Sequence, residues 1–253
     1  MSYSPRHGQI LDLLTKEGTM GVNDLAQHLD VSVETVRRDV KALAGRGEIV
    51  RMHGAIALPS VVNEAPFERR MRENREAKET IARLAAATIR DGESVMLDTG
   101  TTTSLLARAL LDHRQLTVVT NSSDIARTLA TVNGNKVYMA GGELRSDSGS
   151  ALGFSAIEFI SRFSVDHAII SAGAVNAVTG IMDYDLEEAQ FGNAVLARGR
   201  RRVVVTDASK FGQKGLVRVC ALTEVDELIV DRPPPADLAD VLRQAEIRVT
   251  SDT

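Results

Sequence analysis

Most of the residues with chemistry to offer stand directly after short apolar runs. Val95-Met96-Leu97 is followed by Asp98-Thr99-Gly100-Thr101-Thr102-Thr103 and then by a helix-like segment. A glycine there lets the backbone come close to a ligand, three threonine hydroxyls supply donors, and a helix N-terminus favours an anion. Gly100, Thr101, Thr102 and Thr103 therefore form a candidate phosphate cradle, although an ordinary threonine helix cap accounts for the same string. Val118-Val119-Thr120 leads into Asn121, and Met139-Ala140 into Gly141-Gly142-Glu143-Leu144-Arg145. Ile169-Ile170 leads into Ser171-Ala172-Gly173, and Val205-Thr206 into Asp207-Ala208-Ser209-Lys210. Ligands of open α/β sheets sit at the carboxyl ends of the strands, so these residues could converge on one crevice. Glu188, Asp207 and Lys210 are also the types that proton abstraction beside a carbonyl needs. A binding pocket uses them equally, so their types do not choose between an enzyme and a sensor.

A second set of polar residues lies near the front of the chain. Residues 24–43 hold two short amphipathic helices, with Leu25, Ala26 and Leu29 on one apolar face and Val36, Val40 and Leu43 on the other. Asp30-Val31-Ser32 is the short turn of a helix-turn-helix, with Val31 plugging the angle and Ser32 placed as N-cap of the second helix. That helix presents Ser32, Glu34, Thr35, Arg37, Arg38 and Lys41 away from its apolar face, the layout of a recognition helix. Arg38 is suited to a bidentate contact with guanine, and Glu34 to accepting from cytosine. Residues 48–57 alternate and turn at Gly54, as a small wing hairpin would, making Arg51 and His53 available to the backbone or minor groove. A protein-interaction or dimerisation module is the plainer reading of two helices and a hairpin. The run of cations Arg37, Arg38, Lys41, Arg46 and Arg51 favours DNA.

The elements that must position these groups are legible in the spacing. The apolar runs named above, with Arg202-Val203-Val204-Val205, Glu227-Leu228-Ile229-Val230 and a final Ile247-Arg248-Val249, are short, β-branched and mostly without alternation. Such runs read as strands covered on both faces, and the helix-like segments between them imply a mainly parallel sheet. Pro59 and Pro66 bracket a stretch without apolar period, read as a linker. The charge-dense segment after it reads as a solvated helix face running on into Ile81, Leu84 and Ala85. The expected domains are 1–58, a winged helix-turn-helix; 59–75, a linker; and 76–253, an α/β domain.

Composition sets the outer limits. The chain has 253 residues, 43% hydrophobic and 25% charged, with 4% aromatics and no tryptophan. It is long enough for one large or two modest domains with cores of Val, Ile, Leu and Ala. Its 30 Lys and Arg against 34 Asp and Glu give a net charge of −4, which excludes a uniformly basic nucleic-acid coat but not a local basic patch. Cys220, the one cysteine, excludes an internal disulfide or a multi-cysteine zinc site, and it reads as a buried small hydrophobe. No metal, no cofactor and no catalytic residue is expected. No apolar run approaches a membrane span and residues 1–7 lack a signal-peptide core, so the expectation is a cytoplasmic protein with no membrane partner.

The string VNDLAQHLDVSVETVRRDVKALAGRGEIVRMHGAIAL resembles the amino-terminal signature of the DeoR family of bacterial sugar-metabolism repressors. The resemblance continues through EAKETIARLAAATIRDGESVMLDTGTTT, TVVTNS, MAGGELR and TDASKFG, and on AGGELR, FISRFSVD, DASKFG and DRPPP it is nearest to the glycerol-3-phosphate regulators. It implies a sensor domain of the sugar-phosphate-isomerase-like type, with a phosphate loop at Gly100 to Thr103 and Lys210 near the phosphate. It further implies that Asp98, Asn121, Glu188 and Asp207 hydrogen-bond sugar or polyol hydroxyls, in the crevice where the strand-end reading already puts Gly173. Two departures stand out: Gly54-Ala55 where the family usually has two glycines, and Gly192-Asn193 where Lys-Arg commonly follows the helix glutamate. The expected function is a repressor of a sugar or polyol operon, released by a phosphorylated effector. Its partners would be operator DNA and that effector, and it would act as a homodimer or homotetramer. The alternative is a phosphosugar isomerase carrying a DNA-binding appendage.

Overall fold

The computed structural model describes residues 5–17, 19–52, 55–57 and 65–252. The chain divides into two units, Met1–Ala65 and Pro66–Thr253. In the first, α1 (Pro5–Glu17), β1 (Thr19–Met20), α2 (Val22–His28), α3 (Val33–Gly45), β2 (Val50–Met52) and β3 (Ala55–Ala57) follow one another. The hydroxyl of Ser32 accepts from the backbone N–H of Thr35, capping α3 as its position predicts. Between α2 and α3 the chain turns through Asp30 in the left-handed region (φ 50°), a conformation that Asp tolerates better than branched residues. Ile10 and Leu14 of α1 pack with Leu25, Ala26, Val36, Val40 and Leu43, and with Met20, Ile49 and Ile56 from the strands. Leu29 and Val31 are only partly buried against this core. The strands form an antiparallel sheet in the order β1-β3-β2, so the expected wing hairpin gains a third strand. His53, Gly54 and residues 58–64 lie outside the described residues.

The second unit opens with α4 (Phe67–Arg70), α5 (Arg75–Ala86), β4 (Ser94–Leu97) and α6 (Thr101–Ala109). It continues with β5 (Thr117–Thr120), α7 (Ser123–Leu129), β6 (Lys136–Met139), α8 (Phe154–Ile160) and β7 (Val165–Ser171). Then come β8 (Ala174–Asn176), β9 (Gly180–Asp183), α9 (Leu186–Leu196), β10 (Gly199–Val205) and β11 (Val217–Cys220). The last elements are β12 (Glu227–Val230), α10 (Ala236–Gln244) and β13 (Arg248–Ser251). Seven strands form a parallel sheet in the order β13-β12-β10-β7-β4-β5-β6. Met96, Ala168, Ile170 and Val204 pack into the core on one face, and Val95, Leu97, Ile169, Val203 and Val205 into the core on the other. Burial on both faces is why these strands show no polar alternation. After β6 the chain crosses back to place β7 on the other side of β4, which makes the carboxyl ends of β4 and β7 the topological switch point.

Two parts of the unit differ from the sequence reading. Strands β8, β9 and β11 form a separate antiparallel sheet, unforeseen because three or four residues are too few to display a period. Gly180 permits the β8–β9 turn, since its φ is +87° and a Cβ there would lie 2.5 Å from the carbonyl oxygen of Cys220. The segment placed in the linker up to residue 75 is also structured from Pro66 onwards. Phe67 is buried and its N–H donates to the carboxylate of Asp147, and the charge-dense stretch breaks into α4 and α5 at Asn74, which is left-handed at φ 52°. Its exposed face carries the expected pairs, Arg69–Glu73 at 2.6 Å and Arg75–Glu79 at 2.8 Å. Lys78 is the exception and is buried.

Candidate functional site

In the first unit, Ser32, Glu34, Arg37, Arg38 and Lys41 are exposed along one side of α3, and Arg51 is exposed on β2. Thr35 is half-buried and its hydroxyl is 2.8 Å from that of Ser32, so both belong to the cap as well as to the face. Glu34 lies 3.5 Å from Arg37, an exposed pair of small energetic weight. A groove of about 850 Å³ runs between the start of α2, α3 and the wing, lined by Glu34, Arg37, Arg38, Lys41 and Arg51 among others. These cations stand along one open surface, as binding to a phosphate backbone needs.

In the second unit the switch point holds a small cavity. Asp98 follows β4, and its Oδ2 accepts from the backbone N–H of Ser171 at 2.9 Å and from its hydroxyl at 3.2 Å. Its Oδ1 is buried without a hydrogen-bond partner. Burial pushes this carboxyl up to about 7, with the nearby Asp183 adding to the rise and the Ser171 donors opposing it. Thr99, Asn121, Asp183 and Glu188 join Asp98 and Ser171 around about 20 Å³ of space, enough for roughly one water. Gly192 lines the same space. A Cβ on Gly192 would lie 3.3 Å from Val219, and Asn193 donates to the Val219 carbonyl at 2.9 Å. The Gly192-Asn193 departure thus sets how α9 packs on β11.

The remaining residues from the sequence reading fall into place less uniformly. Thr101 and Thr102 are buried at the N-terminus of α6. The Thr103 hydroxyl is fully buried and donates back to the carbonyls of Asp98 and Gly100, each at 3.0 Å, so it closes the turn and is not free to donate to a ligand. A Cβ on Gly100 would sit 2.1 Å from the Ser171 hydroxyl, so this glycine permits the approach of the loop to β7. Asn121 accepts from the Thr99 hydroxyl and donates to the Ala151 carbonyl, both at 2.9 Å, leaving its amide committed to the protein. Gly173 packs against the Tyr184 ring, 3.1 Å from where its Cβ would be. Asp207 and Lys210 are not among the lining residues of the cavity. Asp207 caps the 3₁₀ turn Ala208–Lys210 and accepts from Asn74 at 3.0 Å.

Two contributors, Lys78 and Asp183, went unnamed in the sequence reading, and Arg145 entered it only as the end of a string. Lys78 donates to the Arg70 carbonyl at 2.6 Å. Burial holds its ammonium below the ordinary lysine range, Asp207 and Glu73 oppose, and Lys210 and Arg70 reinforce. Its spacing to Ile81, Ala82 and Ala85 already placed it on the buried face. Arg145, from the string after β6, reaches Asp185 at 3.0 Å, Glu187 at 2.7 Å and Glu188 at 3.4 Å, pinning its loop to the start of α9. Asp183 ends β9, one of the strands the sequence did not reveal. Cys220 is buried, and burial pushes its thiol up to about 12, leaving it unreactive.

Residues 6–61 match the DeoR-like helix-turn-helix domain, and residues 73–232 match the DeoR C terminal sensor domain. The chain belongs to the DeoR family. This DeoR family member is 34% identical to the glycerol-3-phosphate regulon repressor of Escherichia coli (strain K12) over 249 residues, 98% of this chain and 99% of that protein. It is 35% identical to the HTH-type transcriptional repressor CsqR of the same organism over 246 residues, 97% of this chain and 94% of that one. The glycerol-3-phosphate regulon repressor of Haemophilus influenzae is 36% identical over 234 residues, covering 92% and 91%. Among solved structures, a ribose 5-phosphate isomerase from Methanocaldococcus jannaschii superposes with a TM-score of 0.42 at 18% identity over 56% of each chain, too distant to carry over any residue or activity. Among the described residues no helix is long and apolar enough to cross a membrane, and no group of three or more His, Cys, Asp or Glu could hold a metal ion.

Proposed function

We propose that this DeoR family member is a cytoplasmic transcriptional repressor of a sugar or polyol catabolic operon, released from its operator by a phosphorylated small molecule. The observation that carries this reading is the joining, in one chain, of an exposed cationic α3 to a sensor domain, with full-length relatives named as repressors. On this reading Arg38 reads a base edge, and Ser32, Thr35 and Glu34 set the start of the helix. Arg37, Lys41 and Arg51 grip phosphates, and His53 is assigned to the same backbone contact from sequence alone. Two copies would present two such helices to half-sites about one helical turn apart, so a homodimer or homotetramer follows.

In the sensor domain Asp98 and Glu188 accept from ligand hydroxyls, in an enlarged form of the cavity they line. Lys210 and the backbone N–H groups of Thr101 and Thr102 hold a phosphate. The unsatisfied Oδ1 of Asp98 supports this assignment, because a buried oxygen without a donor is costly and a ligand hydroxyl would satisfy it. Weakening DNA binding a hundredfold needs only about 2.7 kcal/mol of differential effector affinity between the DNA-competent and released states. The same groups would suit an isomerase, but an exposed cationic recognition helix has no use in one. Thermal melting with sn-glycerol 3-phosphate and a panel of pentose and hexose phosphates tests the reading: one of them should raise the melting temperature by mass action and be recovered unchanged. Isomerised product would overturn it.

A further inference from the structure

Asp39 sits on α3 directly after the exposed Arg38, and its own side chain points the other way, into the protein. Both of its oxygens are engaged by α1. Arg6 Nε donates to Oδ2 at 2.5 Å, Arg6 Nη2 to Oδ1 at 3.3 Å, and His7 Nε2 lies 3.2 Å from Oδ1. On the far side of the imidazole, Arg46 Nη2 is 3.0 Å from His7 Nδ1. A guanidinium can only donate, so Nδ1 accepts, the ring proton resides on Nε2, and His7 donates it to Asp39. Arg46 Nε then donates to Glu48 at 2.6 Å, two residues before the strand that carries Arg51. The contacts run without a break from α1 through α3 to the base of the wing.

The apolar contacts of Val36, Val40 and Leu43 hold α3 against the core, but burial of that kind has no direction and does not by itself fix the helix about its axis. A forked guanidinium–carboxylate pair does have direction. Successive residues on a helix stand about 100° apart, so fixing Asp39 fixes where Arg38 points. A partly buried ion pair is also a poor way to gain stability, since replacing both partners by apolar residues of similar size is commonly neutral. We infer that Asp39 is a positioning residue for DNA reading: through Arg6, His7 and Arg46 it sets the rotation of α3 and the base of the wing, so that Arg38 and Arg51 meet one duplex together. This rests on the DNA-reading role proposed above, which assigned Asp39 nothing.

The test uses the full-length chain and a duplex that the parent selects from a randomised library, with a scrambled duplex of equal length as reference. Asp39→Leu keeps bulk and removes the directional bonds; Asp39→Asn keeps one acceptor but sets its amide N–H against a donor of either Arg6 or His7. In both variants the ratio of selected to scrambled affinity should fall about tenfold or more, while affinity for the scrambled duplex stays within about threefold, because the phosphate-gripping cations are intact. Urea melting of the same samples separates positioning from folding. Removing one partner of such a pair costs stability by itself, so the deciding sample is the double variant Arg6→Met/Asp39→Leu, which should stay close to the parent in stability yet lose the preference, an outcome a purely structural role does not predict. An unchanged ratio in a folded Asp39 variant, or an equal loss on both duplexes, overturns the inference. If neither variant folds, Arg6→Gln and His7→Gln are judged by the same ratio. A parent chain that selects no duplex at all would instead overturn the DNA-reading role itself.

Discussion

Asp39 in the first unit and Asp98 in the second are both buried aspartates, 7% and 8% exposed, yet their surroundings push them in opposite directions. Burial drives the Asp39 carboxyl upward, but the donors of Arg6 and His7 and the charge of Arg6 outweigh it and hold the group below the ordinary range. At Asp98 burial prevails, because Ser171 satisfies only one oxygen and the neighbouring charge is another carboxylate. The first site is complete within the protein and suits a fixed part of a reading head. The second is half-complete, and that suits a place where an outside donor changes the free energy of one state.

The largest effect expected from this contrast is on stability against pH. The unfolded chain releases the Asp98 proton near pH 4, whereas the folded chain keeps it until about pH 7. The folded state therefore binds more protons across that window, so stability falls as pH rises from about 4 to about 7 and is level above it. Three units correspond to roughly 4 kcal/mol as an upper figure. Urea melts of Asp98→Asn should show that slope removed and the variant more stable than the parent at pH 8. A slope unchanged by the substitution would break the contrast. Arg38→Ala comes next: affinity for the selected duplex should drop about 10- to 100-fold with discrimination relaxed at one base position. Uniform loss on all sequences would reassign Arg38 to a phosphate. Lys210→Ala should leave DNA affinity alone and raise the effector concentration needed for release by roughly tenfold, as expected for one charge-assisted bond. Smallest is the acid limb of Asp39. Its contribution is present above the ordinary aspartate pKa and is lost as pH falls through its lowered folded value, so amide exchange in α1 and α3 should quicken there before it does so in Asp39→Leu.

Much of the architecture was legible because its signals are long or redundant. The inner strands of the parallel sheet announce themselves as continuous β-branched runs, since both faces are covered, and Ser32 and the 36/40/43 stripe mark α3 from spacing alone. What stayed hidden involves charge inside the protein. Asp39 falls on the same helical stripe as Val36, Val40 and Leu43, and Lys78 on that of Ile81, Ala82 and Ala85, yet a charged residue reads as solvent-facing until its partner is known. Asp39 finds its partners 33 and 32 residues away, at Arg6 and His7, and Lys78 finds its own eight residues back, at Arg70 beyond the helix break at Asn74. Of the strand ends expected to converge, those after β4, β5 and β7 line one small cavity and that after β10 does not, and the strings could not separate Thr103 and Asn121, whose polar groups bind the protein itself, from Asp98, whose Oδ1 does not.

The central claim is that occupation of the sensor crevice is felt at the DNA-reading face. Its most direct measurement is the affinity of the full-length chain for its selected duplex while sn-glycerol 3-phosphate, and then pentose and hexose phosphates, are titrated in, with the Lys210→Ala chain run beside it. The account predicts that one phosphorylated ligand lowers affinity about a hundredfold in the parent and needs a higher concentration in the variant. Affinity indifferent to every phosphorylated ligand, or equal release of parent and variant at the same concentration, would contradict it.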